Sequence, residues 1–105
     1  MAKLPSSFRA TNHTTRSFRE QFARLPAHIQ ELVRAARVLY DQNPHLSSFR
    51  RHQLKDIKKG HHLPGSISIT PTMQYRAIYV EVDGINEWYW IGTHTDYKKF
   101  TGGPR

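Results

Sequence analysis

A chain of 105 residues with 37% hydrophobic side chains fills one modest core and hardly a second, so a single domain spanning 1–105 is expected. It has no cysteine, which excludes a disulfide framework, a thiolate zinc site and a cysteine nucleophile, and its net charge of +8 favours a polyanionic partner. The charge is uneven, because residues 1–60 hold twelve Lys or Arg against four Asp or Glu whereas 61–105 hold four of each.

At the N-terminus, Met1-Ala2-Lys3-Leu4-Pro5 leads into polar residues, unlike a signal peptide, and no segment approaches the roughly 20 apolar residues that span a bilayer. A cytoplasmic protein without a membrane association is expected. Phe8-Arg9-Ala10-Thr11 reads as a short edge strand between loop-like Pro5-Ser6-Ser7 and Asn12-His13-Thr14-Thr15. Phe18, Phe22 and Leu25 then fall at i, i+4 and i+7 behind a capping box, Ser17-Phe18-Arg19-Glu20, and predict a short helix. Pro26 breaks it and suits the first turn of a second helix, whose Ile29, Leu32, Val33, Ala36, Leu39 and Tyr40 form one apolar stripe ending at Asn43-Pro44.

The second half is strand-rich. Ser66-Ile67-Ser68-Ile69 alternates at period two, and the β-rich runs Tyr75 to Val82 and Asn86 to Ile91 are joined by the turn signal Asp83-Gly84. An antiparallel meander follows, with a helical turn over His94 to Phe100 and a frayed Thr101 to Arg105. The class is α+β. Alternation places Arg76 on one strand face with Ile78, Val80 and Val82, where it needs a carboxylate, such as that of Asp96, Glu87 or Asp41, or a ligand phosphate. The same rule sets Tyr89 opposite both Trp88 and Trp90, and the aromatic stripe reads as packing. Arg50, Arg51, Lys55, Lys58 and Lys59, opposed only by Asp56, form a basic patch suited to nucleic acid, with a mobile solvated loop as the alternative. His61-His62 reads as a loop pair within reach of RNA, because adjacent histidines diverge and no metal-ligand spacing accompanies them; neither a metal nor a cofactor is expected.

Leu25-Pro26-Ala27-His28-Ile29-Gln30, Asn43-Pro44, Arg51-His52-Gln53-Leu54-Lys55, Tyr75-Arg76-Ala77-Ile78-Tyr79 and Trp90-Ile91-Gly92-Thr93-His94-Thr95-Asp96-Tyr97 follow one another in an order that resembles the RelE/ParE toxin superfamily of toxin–antitoxin modules, in particular its RelE-like and YafQ/HigB-like branches. The resemblance runs from about Phe18 to Phe100 and is most specific in the ending, Ile-Gly-Thr-His-x-x-Tyr. It departs at Gly60-His61-His62-Leu63-Pro64-Gly65, where relatives carry a compact turn. It implies a twisted antiparallel β-sheet with two N-terminal helices packed on one face, metal-independent cleavage of mRNA on the ribosome, and a cognate acidic antitoxin.

Such cleavage uses the ribose 2′-OH as nucleophile, so the protein must take that proton, stabilise the phosphorane and protonate the leaving 5′ oxygen. The resemblance assigns the acid–base group to His94 and the phosphate-binding guanidinium to Arg76. It places His52 and Lys55 as base or electrostatic clamp, and Tyr97 against a base or the phosphate, while Asp96 either orients a histidine or caps a helix. Arg50, Arg51, Lys58, Lys59, His61 and His62 complete the expected RNA-binding set. The alternatives are a ParE-like inhibitor of DNA gyrase and a noncatalytic RNA- or protein-binding module on the same fold.

Overall fold

The fold was taken from a computed structural model, which describes residues 11–103. Five strands form one sheet in the order β1-β5-β4-β3-β2: β1 Thr11–Thr14, β2 His52–Gln53, β3 Ile67–Thr72, β4 Tyr75–Val82 and β5 Ile85–Thr93. Helices α1, Arg16–Ala23, and α2, Ala27–Gln42, precede the meander, and α3, His94–Phe100, follows it directly. No helix among the described residues is long and apolar enough to cross a membrane.

The hairpin joining β4 to β5 forms where Asp83 and Gly84 both take positive φ, 53° and 80°, as a tight two-residue turn demands. From there β4 and β5 pair antiparallel from Val82↔Ile85 to Tyr75↔Thr93, and β3 pairs antiparallel with β4 and β2. Of the expected edge strand, Phe8 to Ala10 lie outside the described residues. Asn12 to Thr14, expected as loop, belong to a strand, Thr11–Thr14, and it runs parallel to β5 where an antiparallel sheet was expected. Polar side chains suit this edge, because Asn12 Oδ1 accepts hydrogen bonds from Trp88 Nε1 at 2.9 Å and Asn86 Nδ2 at 3.2 Å.

This strand also moves the first helix cap. The Thr15 N–H donates to Trp88 O at 2.9 Å, continuing the pairing, so the chain turns at Thr15, whose Oγ1 accepts from the Phe18 N–H at 3.1 Å. Thr15, and not Ser17, is the N-cap. Pro26 caps α2, and Asn43 ends it as expected. Of the expected stripe, Val33, Ala36 and Tyr40 face the core, whereas Leu32 and Leu39 stay 51% and 43% exposed along a cleft.

Each sheet face carries its own core. The helix side buries Phe18, Tyr40, Phe49, Ile69, Tyr79 and Trp88, with Tyr79 and Trp88 rings 4.5 Å apart. The opposite side buries Leu54, Ile78 and Trp90 beneath Tyr97 and Phe100 of α3. The expectation that Trp88 and Trp90 share a face is therefore overturned. Ile78 pairs with Trp90 but the next residue, Tyr79, pairs with Trp88, so β5 carries an extra residue at Tyr89 and a β-bulge switches the face.

Candidate active site

The ending Ile91-Gly92-Thr93-His94 divides its work residue by residue. Ile91 is buried in the helix-side core, and Gly92, paired with Arg76, leaves space that the Trp90 indole occupies. Thr93 is the N-cap of α3, its Oγ1 accepting from the Asp96 N–H at 3.1 Å. His94 thus becomes the first helical residue, tied to the β3–β4 turn by its own N–H on Gln74 O at 2.8 Å. Thr93, and not Asp96, is the cap: Asp96 supplies the backbone N–H that is capped, and its carboxylate stands in the first turn of α3.

Arg76 lies on the α3 side of β4, in alternation with buried Ile78. Its Nη1 donates to the carbonyls of Met73 at 3.1 Å and Tyr75 at 2.9 Å, which fixes the guanidinium beside the turn. None of the three candidate carboxylates reaches it: Glu87 pairs with His13, Asp41 with Arg37, and among the described residues no ion pair includes Arg76. Partial burial lowers the Arg76 pKa, the Tyr97 hydroxyl counters that, and the Arg50 charge lowers it further. A part-buried cation with a second cation nearby and no carboxylate partner is set up for an anion.

His94 is half-buried beside this group, and its pKa is held below the ordinary histidine value by desolvation and then by the charges of Arg76 and Lys98. Tyr97 packs between Trp90 and His94, with ring centroids 6.2 Å from each. Arg76, His94 and Tyr97 therefore come together on one face, with Arg50 and Lys98 at its margin.

His52 joins the same face from the sheet edge. Its partner Ser68 pairs with Ile78, which pairs with Trp90, and directly opposed residues point to the same side. Two strand spacings set His52 roughly 10 Å from β4. Lys55, Lys58 and Lys59 are exposed in the following loop.

Three expected RNA contacts have other partners. Arg51 turns to the helix side, where Nε donates to Tyr40 Oη at 3.1 Å and Nη2 to Tyr79 Oη at 3.3 Å, so it stands across the sheet from Arg76. Burial opposes the Arg51 charge, but these hydrogen bonds outweigh it and raise the pKa. His62 folds over Gly60, and its Nε2 donates to Lys55 O at 2.7 Å. His61 donates its N–H to Phe100 O at 2.7 Å and sets its ring 6.2 Å from Phe100. The long 54–66 loop is thereby sewn to α3, a contact that the sequence signals only through Gly60, over which the His62 ring packs.

Arg76, His94 and Tyr97, with Arg50 and Lys98 beside them, thus make a cationic group where the sheet of this α+β domain meets α3. No family model and no curated protein sequence matches the chain. Its backbone is similar to that of YafQ from Escherichia coli BL21(DE3), with a TM-score of 0.65 at 13% identity over 84% of this chain and 97% of that one. It is likewise similar to the RelBE2 toxin–antitoxin complex of Mycobacterium tuberculosis, at 0.62 and 19% over 82% and 99%, and to the YoeB/ParE toxin of Agrobacterium tumefaciens, at 0.58 and 17% over 80% and 98%. The chain shares the fold of these toxin structures.

Proposed function

We propose that the protein is the toxin of a type II toxin–antitoxin pair and an endoribonuclease that cuts mRNA on the ribosome without a metal ion. The observation that carries this reading is Arg76, a part-buried guanidinium without a carboxylate partner, grouped with His94 and Tyr97 on this fold. A phosphodiester would seat one nonbridging oxygen on Arg76, which neutralises the charge that grows in the phosphorane. His52 takes the 2′-OH proton. As the 2′ oxygen bonds to phosphorus and the bond to the 5′ oxygen breaks, His94 donates a proton to the leaving oxygen. A depressed His94 pKa fits this role once substrate arrives, because the phosphate offsets the Arg76 charge and restores the protonated form. Tyr97 supports the phosphate or stacks on a base, and Lys55, Lys58 and Lys59 give salt-sensitive contacts to RNA.

Two of the similar structures, RelBE2 and DinJ-YafQ, are toxin–antitoxin complexes, and the surplus of positive charge here favours an acidic antitoxin. Expressing the wild type, Arg76→Ala and His94→Ala in a host lacking the antitoxin tests the reading. Growth arrest with cut messages for the wild type, lost in both variants, supports it. Arrest with intact messages and broken DNA would place the protein among gyrase inhibitors, and no arrest by the wild type would leave a binding module.

A further inference from the structure

Arg50 holds a conformation that its side chain does not favour. At φ 48° and ψ 41° it is left-handed, and the other non-glycine residue with positive φ among the described residues, Asp83, sits in a hairpin turn that demands it. Glycine or asparagine ordinarily occupies such a position after a helical turn, and an arginine there is strained. The surroundings enforce the geometry. Phe49 is buried against Tyr40 with ring centroids 5.3 Å apart, and the Arg50 N–H donates to Ser47 O at 3.1 Å. On the far side the Arg50 carbonyl lies 2.8 Å from His52 Nδ1.

A carbonyl oxygen only accepts, so Nδ1 carries the proton and Nε2 keeps its lone pair. We infer that Arg50 is a positioning residue whose left-handed turn presents its carbonyl to His52, holding the imidazole as the base-competent tautomer, while its side chain sets a second guanidinium beside Arg76. The inference rests on the nuclease reading for the role of that lone pair, and on the backbone alone for the tautomer. Arg50 and Arg76 both border an open cleft of about 750 Å³ between α2 and the β3–β4 turn, and the Arg50 charge is felt at Arg76. Strain kept at an arginine, where glycine would relieve it, points to a use for the side chain.

Two substitutions separate the two parts. Arg50→Gly keeps the left-handed backbone and removes the guanidinium; Arg50→Val disfavours that backbone as well. Ring nitrogen NMR of His52 in the free protein is expected to show Nδ1–H and a bare Nε2 in the wild type and in Arg50→Gly, and a shift towards Nε2–H in Arg50→Val. Cleavage of mRNA on programmed ribosomes is expected to show KM raised about 10- to 100-fold in Arg50→Gly with kcat within about threefold, and kcat itself lowered in Arg50→Val. Thermal stability of Arg50→Gly should equal or exceed the wild type. An Nε2–H tautomer in the wild type, or an unchanged KM in Arg50→Gly, overturns the inference. If the wild type cuts no RNA at all, the nuclease reading has failed, and the tautomer measurement still decides the positioning claim, including when Arg50→Val does not fold.

Discussion

Replacing Gly92 with alanine tests how the α3 end of the site is supported. Gly92 has no unusual φ, so backbone freedom does not explain it; the missing side chain does. A Cβ at this position would lie 2.8 Å from Trp90 Cη2 and 3.1 Å from Cζ2. Ordinary carbon contact begins near 3.5 Å, so the indole must retreat by about 0.7 Å. It cannot do so freely, because Trp90 is only 8% exposed and stacks on Phe100 with centroids 5.1 Å apart and planes at 18°. Its displacement is passed on to Phe100 and to Tyr97. Overpacking of this kind costs about 1–3 kcal/mol, and the smaller unfolded-state entropy of alanine returns about 0.4–1 kcal/mol. The net loss of about 1–2 kcal/mol predicts a Tm lowered by roughly 5–15 °C. Thermal unfolding measures the loss, and near-ultraviolet circular dichroism reports the moved indole. A Tm within about 1 °C of wild type, with unaltered tryptophan bands, would refute the packing argument.

Further consequences concern charge and buried hydroxyls. Since His94 titrates below its unfolded value, the folded state binds fewer protons near pH 6; its contribution to stability is present above about 6.5 and is lost as pH falls through that value towards the folded pKa. An NMR titration of Arg76→Gln or Lys98→Gln should show the His94 pKa move up, and no movement would mean that those charges do not act on it. Tyr40→Phe removes the hydroxyl that bonds Tyr79 Oη at 3.0 Å and accepts from Arg51, so stability should fall by about 1–3 kcal/mol in denaturant unfolding while RNA cleavage persists. Ser68 Oγ is buried without a hydrogen-bond partner, so Ser68→Ala should raise the denaturation midpoint or leave it level; a clear drop would reveal a missed partner.

The meander was readable because its signals are local: Asp83-Gly84 sets the hairpin, and alternation along β4 places Arg76 with Ile78. The grouping of Arg76 with His94 followed from the same two strands, since Gly92 pairs with Arg76 and the chain enters α3 two residues later. What escaped depends on partners remote in sequence. The parallel edge at Thr11–Thr14 consists of polar residues that pair only because β5 offers Trp88 and Asn86. Trp88 and Trp90 separate through one inserted residue, which no period-two pattern announces. Arg51 reads as one more cation of a basic run until two tyrosine hydroxyls, 11 and 28 positions away, are seen to claim it.

The central claim is that Arg76 and His94 act on one phosphodiester. Purified wild type, Arg76→Ala, Arg76→Lys and His94→Gln can be added to ribosomes programmed with a defined mRNA, with the 3′ ends of the fragments mapped. Cleavage in the decoding site that leaves a 2′,3′-cyclic phosphate, falling at least about 100-fold in Arg76→Ala and His94→Gln and recovering only in part in Arg76→Lys, is the expected result. Wild-type cleavage that survives the loss of both side chains would contradict the account.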